Sequence, residues 1–347
     1  MKVHVVSRKN QFRSILLMMV LMAITIVVIL KDYSVKELTE VIKSTHPFYL
    51  IAGIILMFLY AGCQAMNFFL VMGRLGQTKP YRQCIGYAYI GNYFGAITPG
   101  ASGGQPAQMY YMSKDKINID LSTITIFYLV FTSQIVIILM GGLLAIFRFH
   151  ILSKAPNWFM YILIAGSMVM LGLIIILSAL MFSKKVIPFL VKLAIKFGEK
   201  IHLIKKPEVL EAKADVLIWS YQDKSKIILK HPDLFIKVFF VTVLQWTAYC
   251  MVSYLVYLSF GYREFNALDL MAGQSFINIA VAAVPVPGSV GVAEKAFLNI
   301  YGQFYAQQEL PSAMILSRII NFYLPLLISF LVYLLAHYRI MKAHNKK

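Results

Sequence analysis

Pro99-Gly100-Ala101-Ser102-Gly103-Gly104-Gln105-Pro106 interrupts an apolar segment that runs from about Gln83 to Met112. Proline removes a backbone donor and clashes with the preceding turn, and glycine adds backbone freedom, so a helix stops here. Hydrocarbon does not tolerate such a stop, because each unpaired backbone group costs several kcal/mol there. The break has to be buried in protein or to line a wet cavity. A second copy lies downstream at Pro285-Val286-Pro287-Gly288-Ser289-Val290-Gly291-Val292-Ala293-Glu294. Pro99, Gly100 and Gly103 match Pro287, Gly288 and Gly291 in spacing, and Asn92 and Asn278 lie upstream. Two apolar segments broken in corresponding places point to a transporter's binding site.

Composition sets the frame. Of the 347 residues, 59% are hydrophobic, and mean hydropathy is +0.71, far above a soluble domain. Long apolar runs recur along the whole chain and leave no stretch for a soluble catalytic domain. The net charge of +18 sits mostly between the apolar runs. It therefore reads as positive-inside topology and attraction to anionic headgroups, with no nucleic acid as partner. Cys63, Cys84 and Cys250 lie in apolar segments and form no metal or disulfide pattern. No metal and no cofactor is expected.

The expected class is an all-α polytopic membrane protein in one integral domain, residues 1–347. Six spans are expected: Ser14–Leu30, Phe48–Met72, Leu121–Phe147, Asn157–Phe182, Leu234–Phe260 and Ala313–Ala336. Two broken segments lie between them, Gln83–Met112 and Leu268–Phe304. Residues 183–233 hold eleven lysines and six acids. There Lys185, Lys192, Lys196 and Lys200 recur at helical spacing, as in a basic amphipathic linker on the cytoplasmic surface. If both broken segments crossed fully, this linker would lie outside. If both are re-entrant hairpins, the linker, the Arg74 loop and both termini are cytoplasmic, as the positive-inside rule requires. The span-hairpin-span unit then occurs twice, in 48–147 and 234–338, as inverted repeats.

A helix that starts within the membrane presents free N–H groups and the positive end of its dipole. Two such starts, near Gly104 and Val292, predict an anion site able to hold a phosphate. Three charges sit inside apolar sequence: Glu294, Lys295 and Arg318. Arg318 and Lys295 are assigned to a lipid phosphate, and Glu294 to a cationic headgroup or to Arg318 itself. Glu294 also reads as a helix N-terminal acid, and Arg318 as a snorkelling side chain. Asn92, Gln105 and Asn278 flank the breaks and are expected at the cavity. Other amides, among them Gln64, Asn67, Gln108, Gln134, Gln245 and Gln274, read as interhelical bonding groups. Tyr87, Tyr89, Tyr110 and Tyr111 read as membrane-interface aromatics.

The paired motifs resemble the flippase-like membrane domain of lysylphosphatidylglycerol synthase, also called multiple peptide resistance factor. Ser317-Arg318 and Tyr323-Leu324-Pro325 match that family's last block. The resemblance implies a bacterial or archaeal cytoplasmic-membrane protein that moves a lipid between leaflets. It extends over nearly the whole chain and stops short of the synthase's acyltransferase-like domain, so synthase activity is not carried over. The expected function is a lipid flippase for a phospholipid or a related anionic or aminoacylated lipid, and not an enzyme. A secondary transporter of a small soluble anion is the alternative. A separate lipid-synthesising enzyme and a second copy of the chain fit as partners. The substrate-binding set is Asn92, Pro99, Gly100, Gly103, Gly104, Gln105, Asn278, Pro287, Gly288, Gly291, Glu294, Lys295 and Arg318.

Overall fold

The computed structural model describes residues 45–183 and 230–344, with 223–228 and a few isolated positions besides. The expected span Ser14–Leu30 and nearly all of the basic linker lie outside the described residues. The rest is helical: α1 Pro47–Arg74, α2 Tyr81–Ile97, α3 Gly104–Lys114, α4 Ile119–Phe147, α5 Phe149–Ser153, α6 Asn157–Phe182, α7 Pro232–Ser259, α8 Ala267–Val281, α9 Val292–Tyr301, α10 Leu310–Arg318 and α11 Leu324–His344.

Among the described residues five stretches are long and apolar enough to cross a bilayer: Pro47–Arg74, Ile119–Phe147, Asn157–Met181, Pro232–Ser259 and Leu310–Arg339. At 1.5 Å per residue the 28 residues of α1 reach roughly 42 Å, beyond the ~30 Å of hydrocarbon. Proline at the first turn opens α1 and α7, where a missing N–H costs nothing. Leu75 and Gly76 close α1, with Gly76 at φ 76° and the Gln77 amide donating to the Met72 carbonyl. Asn266 caps α8 by accepting from Leu268 and Asp269, while Asp269 accepts from the Asn266 amide.

The last span departs from the expected uninterrupted helix. It starts at Leu310 and carries a π turn over Ile319–Tyr323. Pro325 is the cause: it has no N–H to offer the Asn321 carbonyl and its ring crowds it, so the turn widens.

α1 and α7 form the central antiparallel pair. At one end the His46 amide donates to Ser259, and at the other Arg74 meets Asp233 at 3.2 Å. Around this pair each broken segment doubles back, α2 packing on α3 and α8 on α9. The first hairpin opens at the Arg74 end, where Lys79 donates to the Asp115 carbonyl. The second opens at the other end, where Arg148 meets Asp269 at 3.0 Å and Tyr262 donates to Glu309. The two tips touch each other. Each hairpin also packs against a long helix of the opposite half, α2 on α11 and α8 on α4. Element lengths run 28, 17, 3, 11 and 29 residues from α1 to α4, and 28, 15, 3, 10 and 30 from α7 to Arg339.

Two apolar clusters hold the ends of the bundle. Phe159, Phe276, Tyr257 and Tyr301 anchor one, and Met72, Ile90, Met112 and Ile124 the other. Tyr87 and Tyr111 are buried in packing rather than placed at an interface, and Tyr89, also buried, lines a central cavity. Tyr87 donates to Asp115 at 2.7 Å, and the Tyr111 hydroxyl lies 3.2 Å from His337 Nδ1. These short polar links satisfy their hydroxyls and draw both rings inward.

Candidate functional site

The two tips share one backbone course. Pro99 and Pro287 each begin a three-residue 3₁₀ turn. Gly100 follows at φ 59° and Gly288 at φ 60°, then Ala101 at φ 55° and Ser289 at φ 52°. Two successive left-handed residues reverse the chain, and only glycine takes the first place without strain. At Gly288 an added Cβ would also overlap the Phe322 ring.

The tips differ in how the next amide is satisfied. In the first, Thr98 Oγ1 accepts from the Gly103 amide at 2.8 Å and donates to the Phe94 carbonyl at 2.6 Å. In the second, Glu294 Oε2 accepts from the Gly291 amide at 2.6 Å. Glu294 Oε1 accepts from Arg318 Nε at 2.7 Å and lies 2.6 Å from Arg318 Nη2. Arg318 also donates to the Gly288 carbonyl at 3.1 Å and lies 4.6 Å from the Phe322 ring centre. One guanidinium thus ties together the second tip, the start of α9 and the π turn.

A cavity of about 610 Å³ lies where the tips meet. Both hairpins, α1, α4, α6, α7 and the last span wall it. Of the expected residues, Asn92, Gly100, Gly104, Gln105, Asn278, Gly288 and Arg318 line it. Pro99, Gly103, Pro287 and Gly291 do not: they shape the tip backbone, and the Gly103 and Gly291 amides are taken up by Thr98 and Glu294. Glu294 stands behind Arg318, outside the lining. Its carboxylate already occupies the positive start of α9, so that helix end is no open anion site, contrary to the expectation from its dipole.

Lys295 is also placed differently from expectation. Ala293 and Phe297 of α9 face the cavity. Lys295 lies two residues from each, about 200° around the helix. It is exposed, with its ammonium 4.8 Å from the Trp158 ring centre.

Among the described lining residues ten carry side-chain amides, and Arg318 is the single charged one. Gln64 and Asn67 lie three apart on α1, as do Gln105 and Gln108 on α3; Gln274 and Asn278 lie four apart on α8. Such spacing puts each pair on one helix face. Some of this polarity is paired. Asn67 donates to Thr242 at 3.0 Å, Gln108 to the Tyr87 carbonyl at 3.1 Å, and Gln274 to Asn278 at 3.1 Å. Much of it is not. Gln64, Asn67, Gln134, Asn321 and Ser329 each keep a buried oxygen without a hydrogen-bond partner, a costly arrangement in a packed interior. Tyr60, Trp246 and Tyr249 complete the wall as a mutually packed trio, with ring centres 5.6–5.9 Å apart.

The family model described as "Lysylphosphatidylglycerol synthase TM region" matches residues 14–329. The chain belongs to this family. No curated protein matches it significantly. The match takes in both broken segments, the cavity and Arg318, and its description names a membrane region, not a synthase domain. As a member of the lysylphosphatidylglycerol synthase TM family, the chain is a multi-pass membrane protein associated with membrane lipid.

Several cavity residues of this family member escaped assignment from sequence. Gln64, Asn67, Gln134, Gln245 and Gln274 read from sequence as interhelical bonders, and nothing in the sequence sets Asn321, Ser329 or the aromatic trio apart. The usable signal was the i, i+3 or i, i+4 recurrence of amides on otherwise apolar helices.

Proposed function

We propose that this protein is a lipid translocase that holds a headgroup between its two broken hairpins while the acyl chains stay in the bilayer. The single observation that carries the reading is the cavity at the junction of the tips, whose largely apolar wall carries ten side-chain amides and one arginine. A cavity of about 610 Å³ is of ordinary ligand size. Buried amides left unpaired within an apolar bundle are groups waiting for a ligand. Exposed apolar side chains on α4, α6 and α7, such as Ile146, Ile175 and Phe240, provide the lipid-facing surface.

In this reading the hairpins are re-entrant from opposite faces of the cytoplasmic membrane, and the two halves are inverted repeats. The matching element lengths and the paired left-handed glycines support the repeat. The Arg74 end, with both termini, faces the cytoplasm by the positive-inside rule. Alternating access follows from rocking one half against the other around the fixed tips. The protein is read as a carrier rather than a catalyst, since amides and one neutralised ion pair are poor general acids or bases. A lipid-making enzyme would supply the cargo.

The test is translocation of fluorescent lipids with anionic, zwitterionic and neutral headgroups in vesicles containing the purified protein. Accelerated exchange of at least one of them between leaflets is expected, and slowed exchange in Arg318→Ala. Exchange of every headgroup class no faster than in protein-free vesicles would sink the reading.

A further inference from the structure

Resting on the lipid-carrier reading, we propose that the headgroup this cavity takes is uncharged and rich in hydroxyls, a sugar or polyol attached to a lipid. Charge is the first argument. The one charged residue on the wall, Arg318, is already neutralised by Glu294 at 2.6 Å. An anionic headgroup would have to displace that carboxylate, which also holds the Gly291 amide. A cationic headgroup finds no carboxylate on the described wall. A bare charge of either sign is costly at this depth.

The second argument is the chemistry of what does line it. A side-chain amide both donates and accepts, and so does a hydroxyl. Amides are therefore matched to hydroxyls and matched poorly to a phosphate, which only accepts, or to an ammonium, which only donates. The unpaired capacity is mainly acceptor capacity: it calls for a donor, which a phosphate cannot be, and with no carboxylate on the described wall to balance an ammonium, hydroxyls are the donors that fit. Asn67 is 4% exposed and Ser329 fully buried, yet each keeps an oxygen without a partner at the cavity wall. Gln64, beside Asn67 on α1, Gln134 on α4 and Asn321 in the π turn do the same. Groups spread around the wall in this way suit a ring bearing hydroxyls on several sides. The third argument is the aromatic trio, whose Trp246 is fixed by a bond from Nε1 to Ser133 Oγ at 3.0 Å. An aromatic face is electron-rich and accepts the weakly positive C–H face of a sugar ring.

The experiment is native mass spectrometry of the full chain in detergent, offered three lipids of identical acyl chains. These are monoglucosyl-diacylglycerol, phosphatidic acid and phosphatidylcholine. At least tenfold tighter binding of the glucosyl lipid is expected. Gln64→Leu and Gln134→Leu should each reduce that preference about fivefold without lowering the unfolding midpoint of the lipid-free protein. Binding of all three lipids without preference, or preference for either charged head, would overturn the inference and leave the carrier reading standing. Binding of no lipid above the detergent background would overturn both.

Discussion

The bond between Glu294 and Arg318 permits a separation of structure from transport. The pair lies at 2.6 Å with the two side chains 21% and 16% exposed. At an effective dielectric of about 20, two charges that close attract by roughly 6 kcal/mol. Desolvation takes back most of that, so a net coupling of about 2 kcal/mol is expected for a pair this well covered. Glu294→Gln leaves Arg318 without a carboxylate, held by the Gly288 carbonyl and the Phe322 and Tyr323 rings. Arg318→Gln leaves a carboxylate facing the second tip. Each single change should destabilise the protein, and the double variant, with two neutral amides, should regain about 2 kcal/mol over the sum of the singles. Reversible unfolding in mixed detergent, followed by tryptophan emission, measures the cycle. Transport in vesicles should stay impaired in the double variant, because the cavity has lost its guanidinium. Additive effects within about 0.4 kcal/mol would refute the coupling. Restored transport in the double variant would make the pair a structural tie alone.

The hairpins give a labelling pattern: cysteines at Thr78 and Ser113 should react from one face of the membrane, and cysteines at Glu264 and Gln308 from the other, whereas fully crossing segments would split each pair. The native cysteines are buried and should label little by comparison. Gly166→Val should cost about 1–3 kcal/mol, since an added Cβ overlaps the Ile279 carbonyl where α6 crosses α8. Gly142→Ala, with open space around it, should be neutral or up to about 1 kcal/mol stabilising, and detergent unfolding compares the two. Gly288→Ala should lower the unfolding midpoint more than Gly100→Ala, because both force a left-handed alanine but only the first also meets the Phe322 ring. Equal losses would remove the Phe322 contact from the argument.

The five described spans and both breaks were legible because they depend on local chemistry alone. A run of apolar residues long enough to cross, or a proline followed by glycine inside one, has its consequence wherever it folds. The expected span Phe48–Met72 falls within α1, Pro47–Arg74. The cavity wall was less legible because it depends on how each helix is rotated. Gln64 reads alike whether it meets another helix or an open space, and the partners that decide come from α4, α7 and α11. Lys295 shows the same limit: it adjoins Glu294 in sequence yet points to the far side of α9. The π turn at Ile319–Tyr323 was legible in principle from Pro325, but its effect is to aim Asn321 and Phe322, which only the assembled bundle makes meaningful.

The inequality of the two tips follows from Arg318. Both turns must satisfy one amide at the start of the returning helix, and a neutral hydroxyl does this at Thr98. The second turn faces a guanidinium, and a hydroxyl there would leave that charge unbalanced inside the bundle. A carboxylate at Glu294 satisfies the Gly291 amide and the guanidinium together. The charge is therefore local to one half, and the first hairpin contributes only neutral groups, Asn92, Gln105 and Gln108, to the same cavity. A headgroup would thus meet a fixed, neutralised arginine on one side and adaptable amides on the other. Unfolding in detergent of the swapped variants tests this division: Glu294→Thr should lower the midpoint by leaving Arg318 unbalanced, and Thr98→Glu should lower it by adding a carboxylate to a turn that carries no cation.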